Sequence, residues 1–135
     1  MSNTIRLNDS APTKRWLTMS NQGTDCFFDL LIAASESFEL APAQENLVDF
    51  IRCRRDINNV APGTAGFDIE EMPWEAASLR DDVAFLAEAA ELAKGRAVWE
   101  KSDYEPNAAI VSTWLDLFAS LVREMADSET PPNRS

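Results

Sequence analysis

Val111, Trp114, Leu115, Phe118, Leu121, Val122 and Met125 recur at intervals of three and four residues. That spacing lays one apolar stripe along an α-helix. A stripe this continuous must be covered by another element, so it commits the chain to helix packing. Pro106 opens the segment, where its missing N–H costs nothing. Ser128-Glu129-Thr130-Pro131-Pro132 closes it, and a helix from Pro106 to about Met125 is expected.

Three further segments share the period. In residues 25–38, Phe27, Leu30, Leu31 and Ala34 form a face that Phe28 and Ile32 widen, with Thr24 or Asp25 as candidate caps. Pro42 opens a helix from Ala43 to about Asp56, with Leu47, Phe50 and Ile51 on one face beside Val48. Arg52, Arg54 and Arg55 follow near its expected C-terminus, where cations complement the helix dipole. Ser78-Leu79-Arg80-Asp81 resembles a capping box. The helix it starts should run to Lys94, with Leu79, Val83, Leu86, Ala90 and Ala93 inward and Gly95 as the stop.

Residues 16–19 are a short strand or a helical turn, and residues 96–104 a helical turn or an extended piece. Residues 57–77 read as a connection rich in turn chemistry, including Asn58-Asn59 and Pro62-Gly63. Connections beyond about 15 residues are usually functional unless a short helix is hidden in them.

No run shows the strict alternation of a half-buried strand, and the expected fold is all-α: a single-domain bundle of four to five helices with one long acidic connection. Residues 15–126 would form the helical domain. Residues 1–14 and 127–135, rich in Ser, Asn, Thr and Pro, would fray. A length of 135 residues suits one domain, and 45% hydrophobic content supplies a core. No signal peptide and no run of roughly 18 apolar residues is visible, so a cytoplasmic protein is expected. Cys26 and Cys53 both lie in apolar stretches and are expected as buried thiols.

The chain has no histidine, which excludes a Ser-His-Asp triad, a Cys-His pair and every His-containing zinc site. Four glycines carry neither GxxxxGK[ST] nor GxGxxG. Paired carboxylates remain. Asp25 with Asp29, and Glu88 with Glu91, sit at helical spacing and read either as a solvated face or as acid/base or Mg²⁺-holding pairs. Asp68 to Glu75 lacks the 12-residue spacing and central Gly of a calcium loop. No metal and no cofactor is expected.

Charge is more informative. The formal net charge is −11. Residues 24–51 carry Asp25, Asp29, Glu36, Glu39, Glu45 and Asp49 with no Lys or Arg. Residues 57–93 carry Asp68, Glu70, Glu71, Glu75, Asp81, Asp82, Glu88 and Glu91 against Arg80 alone. Such separation gives a steering field for a basic partner, while solubility alone also explains the sign. Direct nucleic-acid binding is disfavoured, because it needs a basic stripe. Within Gly66-Phe67-Asp68-Ile69-Glu70-Glu71-Met72-Pro73-Trp74-Glu75, Trp74 either plugs the loop onto the core or stands out as an interface anchor. Trp99, Trp114 and Tyr104 are expected in or at the edge of the core.

The succession Phe67-Asp68-Ile69-Glu70-Glu71-Met72-Pro73-Trp74, then Phe85-Leu86, Trp99 and Tyr104-Glu105-Pro106-Asn107, resembles small acidic immunity proteins encoded beside bacterial toxins of contact-dependent and related competition systems. The resemblance covers residues 67–122 and rests on aromatic, acidic and Pro positions. It implies a helical cytoplasmic protein that binds and blocks a toxin domain, often a basic nuclease. It transfers no contact residues.

The expectation is therefore a non-catalytic protein, not an enzyme, that neutralises a basic toxin encoded by a neighbouring gene. Asp68, Glu70, Glu71 and Glu75 would face the partner's Lys or Arg, with Trp74 as a possible apolar anchor. Neither nucleic acid nor membrane is an expected partner, and the protein would be a monomer or weak dimer. An adaptor or regulatory subunit of a larger complex is the alternative; a carboxylate-metal enzyme is a third.

Overall fold

The structure, a computed structural model, describes residues 2–7, 16–95 and 105–129. The expected all-α bundle is incorrect. Among the described residues there are four α-helices and a three-stranded mixed sheet. The chain order is β1 (Ser2–Arg6), β2 (Trp16–Ser20), α1 (Asn21–Glu36), α2 (Pro42–Val60), β3 (Phe67–Asp68), two 3-10 turns (Ile69–Glu71 and Ala76–Ser78), α3 (Leu79–Lys94) and α4 (Glu105–Glu129).

β1 lies in the middle of the sheet. It pairs antiparallel with β2 over its full length and parallel with β3, Ile5 opposite Phe67 and Arg6 opposite Asp68. The strands do alternate. Asn3, Ile5 and Leu7 point inward with Leu17, Met19 and Phe67, while Arg6, Trp16, Thr18 and Ser20 are exposed. Ser2–Arg6 is therefore a strand, and residues 16–20 take the strand form of the two left open. Residues 127–129 belong to α4.

The helical stripes lie where the periodicity places them. Phe27, Leu31, Leu47, Ile51, Leu86, Leu115 and Phe118 are all fully buried. Burying each such side chain contributes about 1.5–3 kcal/mol. α1 is the central helix, touching α2, α3, α4 and the inner face of β1 and β2. α4 runs chiefly along α3. Aromatic pairs join the layers edge to face: Phe27 to Phe118 (α1 to α4, 5.7 Å) and Phe50 to Phe67 (α2 to β3, 5.0 Å).

Several local expectations change. Ser20, not Thr24 or Asp25, caps α1 by accepting from Gly23 N–H at 3.1 Å. Ser78 makes no capping box; its hydroxyl donates to buried Asp82 at 2.7 Å. α2 continues to Val60, so its arginines are not in the last turn and do not act on the helix dipole. The connection after α2 is correspondingly shorter, and it hides the two 3-10 turns. Cys26 is buried, with its thiol pKa raised by burial and then by Asp29, whereas Cys53 is exposed. Trp114 is half-buried against the core; Trp99 and Tyr104 lie outside the described residues.

Candidate functional site

The segment from Gly63 to Glu75 is tied to three elements before it presents any charge. Gly63 turns the chain at φ 93°, where other residues are strained. The Ala65 N–H then donates to the Asn3 side chain at 2.8 Å. Phe67 and Asp68 join β1 as β3. The Arg54 guanidinium, from α2, lies over the Phe50 and Phe67 rings at 5.1 and 5.6 Å and clamps the strand from its other side.

Behind it is a buried polar network. The Asn3 amide donates to Asn21 Oδ1 (3.2 Å), Thr24 Oγ1 (3.0 Å) and Asn58 Oδ1 (2.9 Å). The Asn58 amide donates in turn to Asp25 Oδ1 (2.8 Å) and the Asn21 carbonyl (3.1 Å). Asn3, Thr24 and Asn58 are almost fully buried, and among the described residues no buried side-chain polar atom lacks a partner. The network joins β1, α1, α2 and the loop, which makes it scaffold for the site.

The five candidate contact residues separate into different roles. Asp68 is mostly covered and pairs with Arg6, Nε to Oδ1 at 2.6 Å. Glu71 is exposed but accepts from the Asp68 N–H at 2.9 Å, closing the first 3-10 turn. Glu70 is half-buried and has an interaction of its own. Glu75 is exposed, at the start of the second 3-10 turn. Trp74 is half-buried on the core, and its indole N–H donates to the Ile69 carbonyl at 2.9 Å. Ile69 and Met72 are buried beneath it. Of the two roles open to Trp74, the geometry matches the plug. Trp74→Phe keeps the ring and removes the donor. It should lower the unfolding free energy by about 1 kcal/mol, measured by urea titration.

The charge separation read along the chain is partly undone in space. Arg52 bridges Glu36 (2.6 Å) on α1 and Asp49 (2.5 Å) on its own helix. Arg55 reaches Asp29 and Asp56, both at 3.5 Å. Asp29, Glu36, Asp49 and Asp56 are thus matched by arginines, whereas Glu39 and Glu45 are exposed and in no ion pair with a described residue. In the second acidic stretch, Asp68 has Arg6 and Glu91 has Lys94 at 3.7 Å. Glu75, Asp81 and Glu88 are exposed, and none is in an ion pair with a described residue. Asp81 and Glu88 are two helical turns apart, on one face of α3.

Asp25 and Asp29 do not form a metal-like pair: Asp25 accepts from Asn58, and Asp29 faces Arg55. Among the described residues no three Cys, Asp or Glu side chains converge as a metal site would require. No helix among them is long and apolar enough to cross a membrane.

Two features of the site were not foreseen in the sequence. One is a shallow cleft of about 390 Å³ beside the acidic segment, lined by Thr4, Arg6, Thr64, Gly66, Asp68 and Glu71. The other is Trp16, on the outer face of β2 and 58% exposed. The alternation Trp16-Leu17-Thr18-Met19-Ser20 was the signal that would have placed this indole outward. Comparison of the chain with protein-family models, with curated proteins and with solved structures finds no match.

Proposed function

We propose that this chain is a non-catalytic binding protein of the immunity type, which neutralises a basic toxin by occupying it with an acidic surface. The observation that carries the reading is the uneven neutralisation of the acids. Asp29, Glu36, Asp49 and Asp56 are bridged by Arg52 and Arg55, whereas Glu39, Glu45, Glu75, Asp81 and Glu88 are exposed and in no ion pair with a described residue. Uncompensated carboxylates raise the free energy of the isolated protein by self-repulsion and lower it when a cationic surface arrives. They also accelerate encounter with that surface.

The direct test is co-expression with the product of the neighbouring gene. Toxicity of that product alone, abolished when this protein is present, is the expected result; toxicity that persists rejects the reading. Charge reversal narrows the surface. The double variant Glu75→Lys/Asp81→Lys should weaken binding about tenfold at low salt, mainly through slower association, and by much less at 0.5 M salt. Surface plasmon resonance across a salt series measures both effects. Equal affinity for the variant and the wild type at low salt would move the contact to another face.

A further inference from the structure

We infer that the cleft between α3 and α4 is an anion site, which takes a phosphate group between the Arg80 and Arg123 guanidiniums and the apolar part of its ester against Val83, Ala84 and Ala126. The inhibitor reading concerns carboxylates awaiting a cation; this site attracts the opposite charge and does not depend on that reading.

The chain carries 23 acids against 12 basic residues, so no cation goes unpaired for want of an acid. Arg6, Arg52, Arg55 and Lys94 each hold at least one carboxylate, and Arg54 lies over two aromatic rings. Among the described residues, Arg80 and Arg123 are the two cations in neither an ion pair nor a ring contact. Both are exposed, and both line one cleft of about 360 Å³. Antiparallel packing brings them there: Lys94, at the end of α3, bonds Asp116 in mid-α4, so the start of α3 lies beside the later turns of α4. The arrangement has a cost. Arg80 is in the first turn of α3, the positive end of the helix dipole, where a cation is disfavoured and an anion favoured. Two guanidiniums on one cleft also repel each other. An anion between them relieves both penalties.

The pair of forks identifies the occupant. Each guanidinium presents parallel N–H donors that match two oxygens at once. A phosphate monoester offers three terminal oxygens and nearly two negative charges, enough for forks from two helices. A carboxylate has two oxygens and one charge, and one fork satisfies it. Asp127 also lines the cleft and has an interaction of its own; its charge weakens the site without cancelling two arginines. Asp81 and Glu124 adjoin the arginines in sequence, but successive residues of a helix do not share a face. The remaining acids act from farther away. At 0.15 M salt the Debye length is about 8 Å, which screens distant charges more than a contact pair. Val83, Ala84 and Ala126 give the cleft an apolar side, so an ester with an apolar group gains over the bare ion.

The experiment is an NMR titration of the ¹⁵N-labelled full-length protein with phenyl phosphate, inorganic phosphate and benzoate, in a phosphate-free buffer. The arginine Nε–H signals and the amides of Val83, Ala84 and Ala126 report the site. Phenyl phosphate should shift them saturably, with a dissociation constant on the order of 1 mM. It should bind about fivefold or more tighter than benzoate, and tighter than inorganic phosphate. Arg80→Gln and Arg123→Gln should each weaken binding about tenfold and leave the rest of the spectrum unchanged, since both side chains are exposed. Arg123→Lys keeps the charge without the fork and should also bind more weakly than the wild type. No saturable shift with either phosphate, or wild-type affinity in both Gln variants, overturns the site. Benzoate binding as tightly as phenyl phosphate overturns the phosphate assignment, and wild-type affinity in Arg123→Lys overturns the fork. Equal affinity for the two phosphates overturns the apolar part.

Discussion

Replacing Asn3 with Leu is expected to lower the unfolding free energy by about 3–5 kcal/mol, a large part of what a domain of this size possesses. Leu branches at the same atom as Asn, but its methyl groups are bulkier than the amide they replace and add some overpacking on the inward side of β1. The loss comes from what Asn3 satisfies. Its amide is the donor shared by Asn21, Thr24 and Asn58, and its carbonyl oxygen holds the buried Ala65 N–H. Thr24 keeps the Ser20 carbonyl (2.6 Å), and Asn58 keeps Asp25 and the Asn21 carbonyl. The Ala65 N–H and the Asn58 Oδ1 would be stranded in a region closed to water. Unmet buried groups of this kind cost about 1–3 kcal/mol each. Urea unfolding at constant m-value measures the change, and an Asn3→Leu/Asn58→Leu cycle isolates the coupling. A change below 1 kcal/mol would show that water enters the network and replaces the amide.

Gly66→Ala is expected to destabilise by about 2–4 kcal/mol, lowering the melting temperature by roughly 10 °C. A Cβ at this position would stand 2.4 Å from the Thr4 carbonyl oxygen and 2.9 Å from the Thr4 nitrogen. Both are backbone atoms of the central strand, so no side-chain rotation can relieve the contact. β3 would have to part from β1, giving up the Ile5–Phe67 and Arg6–Asp68 pairings. The same displacement would slacken Arg54 over Phe67 and release Asp68 from Arg6. Gly66→Ala should therefore also weaken partner binding through the acidic segment that follows it. Differential scanning calorimetry measures the change in stability. Wild-type stability in Gly66→Ala would mean that the sheet opens at this point without loss.

The comparison of Trp16 with Trp74 shows where sequence reading stops. Trp74 lies among carboxylates after a proline, a context that suggests display; in the fold its N–H is taken by the Ile69 carbonyl. Trp16 lies in a short stretch that fits strand or turn equally well. Only the pairing with Ser2–Arg6 settles which way its side chain points. The charges behave alike. Along the chain Arg52 and Arg55 seem remote from Glu36 and Asp29, yet antiparallel α1 and α2 bring them within ion-pair distance.

The sequence by itself determined the four helices and the faces they bury, because a 3.6-residue period sustained over three or more turns leaves one way to hide the apolar side chains. It also determined the strong excess of carboxylates and the absence of any histidine chemistry. The tertiary structure alone decided the sheet, which acids are left without cations and which indole faces solvent. β1 and β2 are five residues each and β3 is two, too short for their period to stand out, and Asn3 puts a polar residue at an inward position. Their hydrogen bonds join Ile5 to Phe67 across 62 positions of sequence. A contact of that range is set by the packing of α1 against its neighbours, and no local pattern carries it.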